Sequence, residues 1–215
     1  MNILIAGIGT SVGKTRVSAL LTQALDADYW KPIQTGSCDS NVIRKLTQAK
    51  IHSECYHLGY PASPYLAAMR EKIAIDPNAF KIPQTQRPIV IESAGGLFVP
   101  VTEHLLSIDL FQKWKCVWIL VANHYLGSIN HTLLSIEALK QKKCPLIGLI
   151  FNDNLNKLPY EDQMENEKII SKLSKTPILA RVNYQSLTLQ PKDPSWHHLL
   201  QNLKSGVPGP TCKQH

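Results

Sequence analysis

The sequence contains no run of about 18 apolar residues, so we expect no helix that crosses a membrane. The first nine residues contain no Lys or Arg, whereas a secretory signal peptide begins with basic residues. The five cysteines are scattered and form no Cys-x-x-Cys pair, which argues against a disulfide framework and a structural zinc site. We therefore expect a cytoplasmic protein with no membrane partner.

The chain also lacks a concentrated block of charge. It has 23 Lys and Arg against 16 Asp and Glu, a net charge of +7, and the basic residues are spread along the sequence. Nucleic-acid-binding domains usually concentrate basic residues on one face, so we expect no nucleic-acid partner; the charge suits anionic small molecules. With 215 residues and 44% hydrophobic content, the chain suffices for one domain with a buried core.

Short apolar runs alternate with amphipathic, helical patterns. The runs are too short for buried helices, and several are apolar on both faces, which favours a parallel sheet covered on both sides. The alternation predicts an α/β fold in which a doubly wound, mostly parallel sheet is flanked by helices. We predict strands at 2–6, 29–33, 89–92, 117–122, 146–151 and 178–180, and helices at 14–25, 40–48, 105–115, 130–142 and 161–174.

Glycine and proline mark the limits of this domain. Residues 1–204 are predicted to form a single domain, and residues 205–215, rich in Gly and Pro, a flexible C-terminal tail. The proline-containing segment 55–83 is predicted to be a long connection over the sheet with one short helix. Open α/β sheets bind ligands beyond the carboxyl ends of their strands, so the functional residues are expected in the loops there.

The first such loop is rich in glycine and reads GIGTSVGKT over residues 7–15. A loop of this kind that leads into a helix directs backbone N–H groups at one point, where the helix dipole adds positive charge. Lys14 would contact the β- and γ-phosphates of a nucleotide, and the Thr15 hydroxyl would ligate Mg²⁺. The pattern predicts a P-loop NTPase-like fold, although Ile8 stands where the strict motif has glycine. The predicted nucleotide-binding residues here are Thr10, Ser11, Val12, Gly13, Lys14 and Thr15.

Two further strand ends carry polar residues. Lys31 and Thr35 flank the end of the second predicted strand, which Pro32 prevents from continuing as a fully paired strand, and both would reach a bound phosphate. Glu92 ends an apolar strand and is followed by a small-residue turn with Gly95, so it would coordinate or orient Mg²⁺ while the glycine admits a phosphate. The alternative is that Glu92 caps a neighbouring helix.

Two later loops allow two interpretations each. The segment 126–131 leads into a helix whose N–H groups would bind a carboxylate, or it contains an ordinary Ser or Asn cap. Asn152 and Asp153 end the fifth strand, where an amide would read the edge of a purine base. A simple turn is the alternative.

Five motifs in this order resemble the dethiobiotin synthetase family. Its loop GTDTxVGKT corresponds to residues 7–15, with glycine at position 9 in place of the family's Asp. The motifs KP[IV]x[ST]G, EGAGG, LGxINH and ND correspond to residues 31–36, 92–96, 126–131 and 152–153, with Ser93 as one substitution. The resemblance extends from residue 1 to about residue 155.

The resemblance implies an enzyme that converts 7,8-diaminopelargonic acid, CO₂ and ATP into dethiobiotin, ADP and phosphate in biotin biosynthesis. One amine captures CO₂ as a carbamate, ATP phosphorylates the carbamate to a mixed anhydride, and the second amine closes the ureido ring. By resemblance Lys14 and Lys31 are catalytic, with Lys31 steadying the carbamate, and Thr35 contacts the substrate.

The resemblance also implies a Mg²⁺ site and a homodimer. Thr15 and Glu92 would bind Mg²⁺ together with an acid early in the second helix, for which we favour Asp39 over Asn41 because Mg²⁺ prefers a carboxylate oxygen. In the dimer, one subunit would hold the substrate carboxylate of the other. The residues that would do so are Gly127, Ser128, Ile129 and Asn130.

Two other functions remain open at this point. The first is a ParA- or MinD-like switch ATPase, a class with a second Lys near the start of the phosphate loop, which residues 7–12 do not contain. The second is an inactive nucleotide-sensing P-loop domain, suggested by the lack of acids at Gly9 and Ser11. ATP cleavage that requires both the diamine and bicarbonate would exclude both alternatives.

Overall fold

The computed structural model describes residues 1–153, 158–183 and 194–205. In this part of the chain, no helix has the length and apolar character needed to cross a membrane. The strands are β1 Asn2–Gly7, β2 Asp28–Trp30, β3 Ile33–Thr35, β4 Ile51–His52, β5 Tyr56–Leu58, β6 Ile89–Glu92, β7 Pro100–Thr102, β8 Leu105–Leu106, β9 Val117–Ala122, β10 Leu146–Asn152 and β11 Ile178–Val182. The α-helices are α1 Lys14–Ala24, α2 Asp39–Leu46, α3 Pro64–Glu71, α4 Ser107–Phe111, α5 Ser128–Gln141, α6 Tyr160–Ser174 and α7 Pro194–Lys204.

A seven-stranded sheet forms the centre of the molecule. Its order is β11-β10-β9-β1-β6-β2-β4, and every neighbouring pair is parallel. β1 lies at the centre, with β6, β2 and β4 on one side of it and β9, β10 and β11 on the other. This arrangement is the predicted doubly wound parallel sheet, and it brings the loops after β1, β2 and β6 to one edge.

The core lies on both faces of the sheet, as the doubly apolar strands predict. Alternation along β1 sends Ile3 and Ile5 to one face and Leu4 to the other, and all three are fully buried. The first face packs against α1 and α7, with Val17 and Trp196 among its buried residues. The second face packs against α4, α5 and α6 and contains the residues Phe111, Ile136, Leu139 and Ile170.

The strand predicted at 29–33 is divided in two. β2 ends at Trp30 and belongs to the main sheet, whereas β3 begins at Ile33 and pairs with β5. Pro32 lies between them and has no N–H to donate to a ladder. Its carbonyl accepts hydrogen bonds from the N–H groups of Cys55 and Tyr56, which starts the separate β3–β5 pair.

The helix predicted at 105–115 is wrong in its extent. Leu105 and Leu106 instead form β8, antiparallel to β7, and the helix α4 covers only Ser107–Phe111. The N–H groups of Ser107 and Ile108 donate to the carbonyls of Val99 and Leu97. Because these two N–H groups are already bonded to Val99 and Leu97, they cannot donate to carbonyls of an earlier helical turn, and α4 starts only at Ser107.

The connection 55–83 contains the expected short helix, α3, which starts at a Ser63 cap followed by Pro64. Helix α7 was not predicted from the sequence; it lies inside the predicted domain 1–204. Of the predicted tail, residues 206–215 lie outside the described residues.

Candidate active site

The glycine-rich loop joins β1 to α1, as predicted. Gly13 precedes the first residue of α1 with a φ of 92°, a conformation that favours glycine. A Cβ at this position would lie 2.0 Å from Asn152 Nδ2, and the same Nδ2 donates a 3.2 Å hydrogen bond to the Val12 carbonyl. Asn152 at the end of β10 therefore supports the loop, and only glycine leaves room for this side chain at position 13.

Lys14 is the first residue of α1 and is buried, with only 6% of its surface exposed. Its Nζ donates to the Gly9 carbonyl at 2.9 Å, so the side chain folds back over the loop. Burial lowers the pKa of Lys14 to about 8, with nearby Lys31 acting in the same direction and Glu92 opposing it. An anion in this loop would supply the counter-charge that the ammonium lacks.

Glu92 ends β6 and is 1% exposed. Its Oε1 accepts hydrogen bonds from the Thr15 hydroxyl at 2.8 Å and from Lys31 Nζ at 3.2 Å. Its Oε2 accepts from the Tyr29 hydroxyl at 2.9 Å. All three partners are side chains, from α1, from β2 and from the residue after β2, and none is a helix backbone N–H. Glu92 therefore does not act as the helix cap that was the alternative interpretation.

Asp39 completes the cluster from the start of α2. Its carboxylate forms an ion pair with Lys31 Nζ. Burial would lower the pKa of Lys31, but the charges of Glu92 and Asp39 outweigh it and raise the pKa, so Lys31 stays protonated. Asn41 is exposed and its Oδ1 accepts from Arg44; the structure therefore brings Asp39, and not Asn41, to the cluster.

These side chains line a cavity of about 310 Å³ at the carboxyl edge of the sheet. Gln34, Ser37 and Ala94 also line it and were missed by the sequence analysis. Gln34 is buried, accepts from the Asp39 N–H at 3.0 Å and donates to the Thr35 and Ser37 carbonyls. The predicted residues that the cavity brings together are Thr10, Ser11, Gly13, Lys14, Thr15, Lys31, Thr35, Asp39, Glu92 and Gly95.

Other predicted residues lie outside this cavity. Val12 belongs to the loop, but its side chain is buried in the core. Asn152 is fully buried beneath the loop, and Asp153 Oδ2 accepts from Gln163 Nε2 at 3.2 Å. The predicted substrate residues Gly127, Ser128, Ile129 and Asn130 lie at the start of α5, away from the cavity lining. The N-cap of α5 is Gly127, without a side-chain cap bond, so the Ser or Asn cap was wrong.

A second, mostly apolar groove of about 450 Å³ borders the phosphate loop. It is lined by Gly9 and Thr10 of the loop and by His131 and Leu134 of α5, among others. Its Phe98 and Leu134 are about equally exposed, at 60% and 61%. Leu126, which precedes the Gly127 cap of α5, is also fully exposed. Exposed apolar side chains that line one groove, as Phe98 and Leu134 do, are typical of a surface that another protein covers.

The donor set of the cavity fits a phosphate chain with Mg²⁺. The Thr15 hydroxyl and the carboxylates of Glu92 and Asp39 are oxygen donors, which Mg²⁺ prefers, and Mg²⁺ commonly takes only one or two carboxylates beside substrate phosphates. Two lysine ammonium groups and the backbone of the loop supply the positive charge that phosphates need. The arrangement is suited to phosphoryl transfer.

Comparison with known sequences identifies relatives over most of the chain. Residues 1–192 match a family described as an AAA domain, so the similarity extends beyond the residue 155 reached by the motifs. The ATP-dependent dethiobiotin synthetase of Chlamydia felis is 41% identical over 87% of this chain and 88% of that protein. The enzyme of the same name from Rhodopseudomonas palustris is 44% identical over 84% of both chains.

Solved structures show a similar fold at low sequence identity. A ParA family ATPase from Chlorobium tepidum superposes with a TM-score of 0.55 and 14% identity, over 94% of this chain and 96% of that chain. The cell division ATPase MinD of Pyrococcus furiosus has a TM-score of 0.51 and 15% identity, over 96% and 89% of the two chains. At this identity the likeness concerns the P-loop fold alone.

Proposed function

This chain belongs to the ATP-dependent dethiobiotin synthetase family, and from that membership we propose that it converts 7,8-diaminopelargonic acid, CO₂ and ATP into dethiobiotin, ADP and phosphate. One structural observation carries the proposal. Lys14, Thr15, Lys31, Asp39 and Glu92, from four separate segments of the chain, line one cavity. The cavity has the cations for two reacting anions and the oxygens for a divalent metal.

We assign the carbamate to Lys31 and the triphosphate to Lys14. The substrate amine loses a proton as it adds to CO₂, and the ammonium of Lys31 offsets the negative charge of the resulting carbamate. Because the pKa of Lys31 is raised, this side chain acts as a fixed positive charge and not as a base. Lys14 and the loop N–H groups hold the phosphoryl group in line with the carbamate oxygen. The second amine then attacks the mixed anhydride, phosphate leaves and the ring closes.

We assign Mg²⁺ to Thr15, Glu92 and Asp39. When bound, the metal neutralises the charge that develops on the transferred phosphate. Thr35 lines the same cavity as Asp39 and is assigned to the substrate. The remaining loop residues Thr10, Ser11, Val12 and Gly13 are assigned to the phosphates, together with Gly95 of the turn after β6. Asn152 and Asp153 are assigned to the side of the base.

We further propose a homodimer that uses the groove beside the phosphate loop. The exposed side chains of Phe98 and Leu134 would be buried by a second copy, and the α5 start at Gly127 would then hold the carboxylate of a substrate bound to the other subunit. This arrangement accounts for the distance of residues 127–130 from the cavity within one chain. A cytoplasmic location and a single domain over residues 1–204 remain predictions.

The test is ADP release by the purified chain with all substrates and with one omitted. We expect ADP release to require both the diamine and bicarbonate, and mass spectrometry to detect dethiobiotin. Steady ATP cleavage without the diamine would indicate the switch ATPase. Nucleotide binding with no cleavage in the complete mixture would indicate the nucleotide sensor.

A further inference from the structure

Tyr29 is a buried polar side chain that the function proposed above does not use. It lies in β2, is fully buried, and packs with Ala19 and Ile43. In the register between β2 and β6, Tyr29 lies beside Val90. Side chains two residues apart on a strand share a face, so Val90 and Glu92 of β6 face the same side of the sheet as Tyr29. Lys31, which follows the last residue of β2, also contacts Glu92.

The two residues contact different oxygens of the Glu92 carboxylate. The Tyr29 hydroxyl donates to Oε2 at 2.9 Å, and Lys31 Nζ donates to Oε1 at 3.2 Å. Thr15 also donates to Oε1, and both Lys31 and Thr15 line the cavity, whereas Tyr29 does not. The cavity-side oxygen is thus the one shared with the catalytic groups, and the rear oxygen is anchored in the core.

From this asymmetry we propose that Tyr29 is a positioning residue, whose hydroxyl fixes the Glu92 carboxylate with Oε1 toward the metal position. The inference rests on the proposed function, because it takes Glu92 as a Mg²⁺ ligand. A terminal carboxylate torsion is broad, so one anchored oxygen decides which lone pairs face the cavity. Partners behind a metal ligand commonly set metal affinity in this way.

Removing the hydroxyl alone would leave Glu92 Oε2 buried without this donor. A buried acceptor that loses its partner carries a desolvation cost. The carboxylate relieves this cost by rotating so that Oε2 approaches Lys31 and Thr15, and this rotation withdraws Oε1 from the metal position. The phenol of Tyr29 keeps its proton at neutral pH, because burial and the charge of Glu92 raise its pKa well above the usual value.

The test is the Tyr29→Phe variant, which deletes one oxygen and leaves the ring packing in place. Calorimetry would measure ADP affinity with Mg²⁺ and with EDTA. We expect the gain in affinity due to Mg²⁺ to fall about 10-fold, with the affinity in EDTA unchanged. In assays of the same variant, the Mg²⁺ concentration for half-maximal rate should rise by a similar factor, and the KM for the diamine should change little.

The matched control is Tyr56→Phe, since the Tyr56 hydroxyl accepts a 2.9 Å hydrogen bond from the Asp76 N–H outside the cavity lining. It should leave the Mg²⁺ dependence unchanged. Wild-type Mg²⁺ coupling in Tyr29→Phe would overturn the inference, as would a lower melting temperature with unaltered Mg²⁺ dependence. If the wild-type chain forms no dethiobiotin, the proposed function fails, whatever the calorimetry of Tyr29→Phe shows.

Discussion

The Thr15 hydroxyl donates a 2.8 Å hydrogen bond to Glu92 Oε1, across 77 positions of sequence. This bond joins the first turn of α1 to the end of β6, so the phosphate loop and the acidic strand end share one contact. Parallel pairing of β1 with β6 places both elements at the same sheet edge.

Replacing Lys14 by Ala should abolish most phosphoryl transfer. The ammonium is positioned for charge that develops in the transition state, and loss of one such group costs about 10²- to 10³-fold in kcat. The measurement is ADP release with all substrates present. Because burial lowers the pKa of Lys14 to about 8, its removal should not lower the melting temperature. The exposed Lys113 provides the control, Lys113→Ala, and wild-type turnover by Lys14→Ala would contradict the assignment.

Asp39→Asn should raise the Mg²⁺ requirement more than Asn41→Ala does. The Asp39 carboxylate lines the cavity and pairs with Lys31, whereas Asn41 is exposed and bonded to Arg44. The expected rise for Asp39→Asn is about 10-fold or more, because Mg²⁺ loses a carboxylate ligand. Titrating Mg²⁺ while measuring the rate of ADP release checks this. A larger effect of Asn41→Ala than of Asp39→Asn would show that Asn41, and not Asp39, faces the metal position.

Leu134→Glu should convert the proposed dimer to a monomer. A charge buried in the centre of an apolar interface has a large desolvation cost, and Leu134 lines the groove beside the phosphate loop. Sedimentation velocity would measure the mass, and we expect the KM for the diamine to rise because the α5 start of the second subunit is lost. Leu173→Glu is the control, since Leu173 is also 61% exposed but lies on α6. A dimeric Leu134→Glu protein with the wild-type KM would refute this interface.

Asp28→Asn should weaken the fold in a pH-dependent manner. Burial would raise the pKa of Asp28, but hydrogen bonds from His52 and Thr85 and the charge of Arg87 lower it overall. A lowered pKa contributes stability above the unfolded value of about 3.9, and this stability disappears as the pH falls through the folded pKa. We expect a loss of about 1 to 3 kcal/mol at pH 7, shrinking below about pH 4.

Urea unfolding at several pH values measures this difference. Asp26→Asn is the control, because the Asp26 side chain is 93% exposed although it also pairs with Arg87, and exposed pairs contribute little. A stability difference between wild type and Asp28→Asn that stays constant from pH 7 to about pH 3 would be inconsistent with the lowered pKa.

The sequence predicted those parts of the fold that depend on local pattern. The β9 strand was predicted with its observed bounds, and α1 was predicted with the same first residue, Lys14. The predicted extent of the helix at 105–115 was wrong because the start of α4 depends on hydrogen bonds to the carbonyls of Leu97 and Val99. The spacing of apolar residues along the sequence contains no information about these contacts. The helix α7 was missed because its burial against the sheet, through Trp196, is a tertiary effect.

The candidate site divides in the same way. The phosphate loop is a contiguous segment whose conformation follows from its glycines, so its residues were readable in order along the chain. The sequence favoured Asp39 over Asn41 on ligand chemistry alone, because their positions depend on how α2 is oriented above Lys31. Gln34 and Tyr29 were missed because their roles rest on hydrogen bonds to Asp39 and Glu92, which only the folded chain brings within reach.

The sequence by itself determined a parallel α/β sheet, a phosphate loop at residues 7–15 and the family to which its motifs belong. These properties reside in short segments, where glycine content, apolar period and residue order are sufficient. The tertiary structure alone decided which oxygen of the Glu92 carboxylate faces the cavity and how α2 is oriented so that Asp39, and not Asn41, lies beside Lys31. These depend on the lateral register of β2 against β6 and on the rotation of α2, and neither is encoded in any one segment.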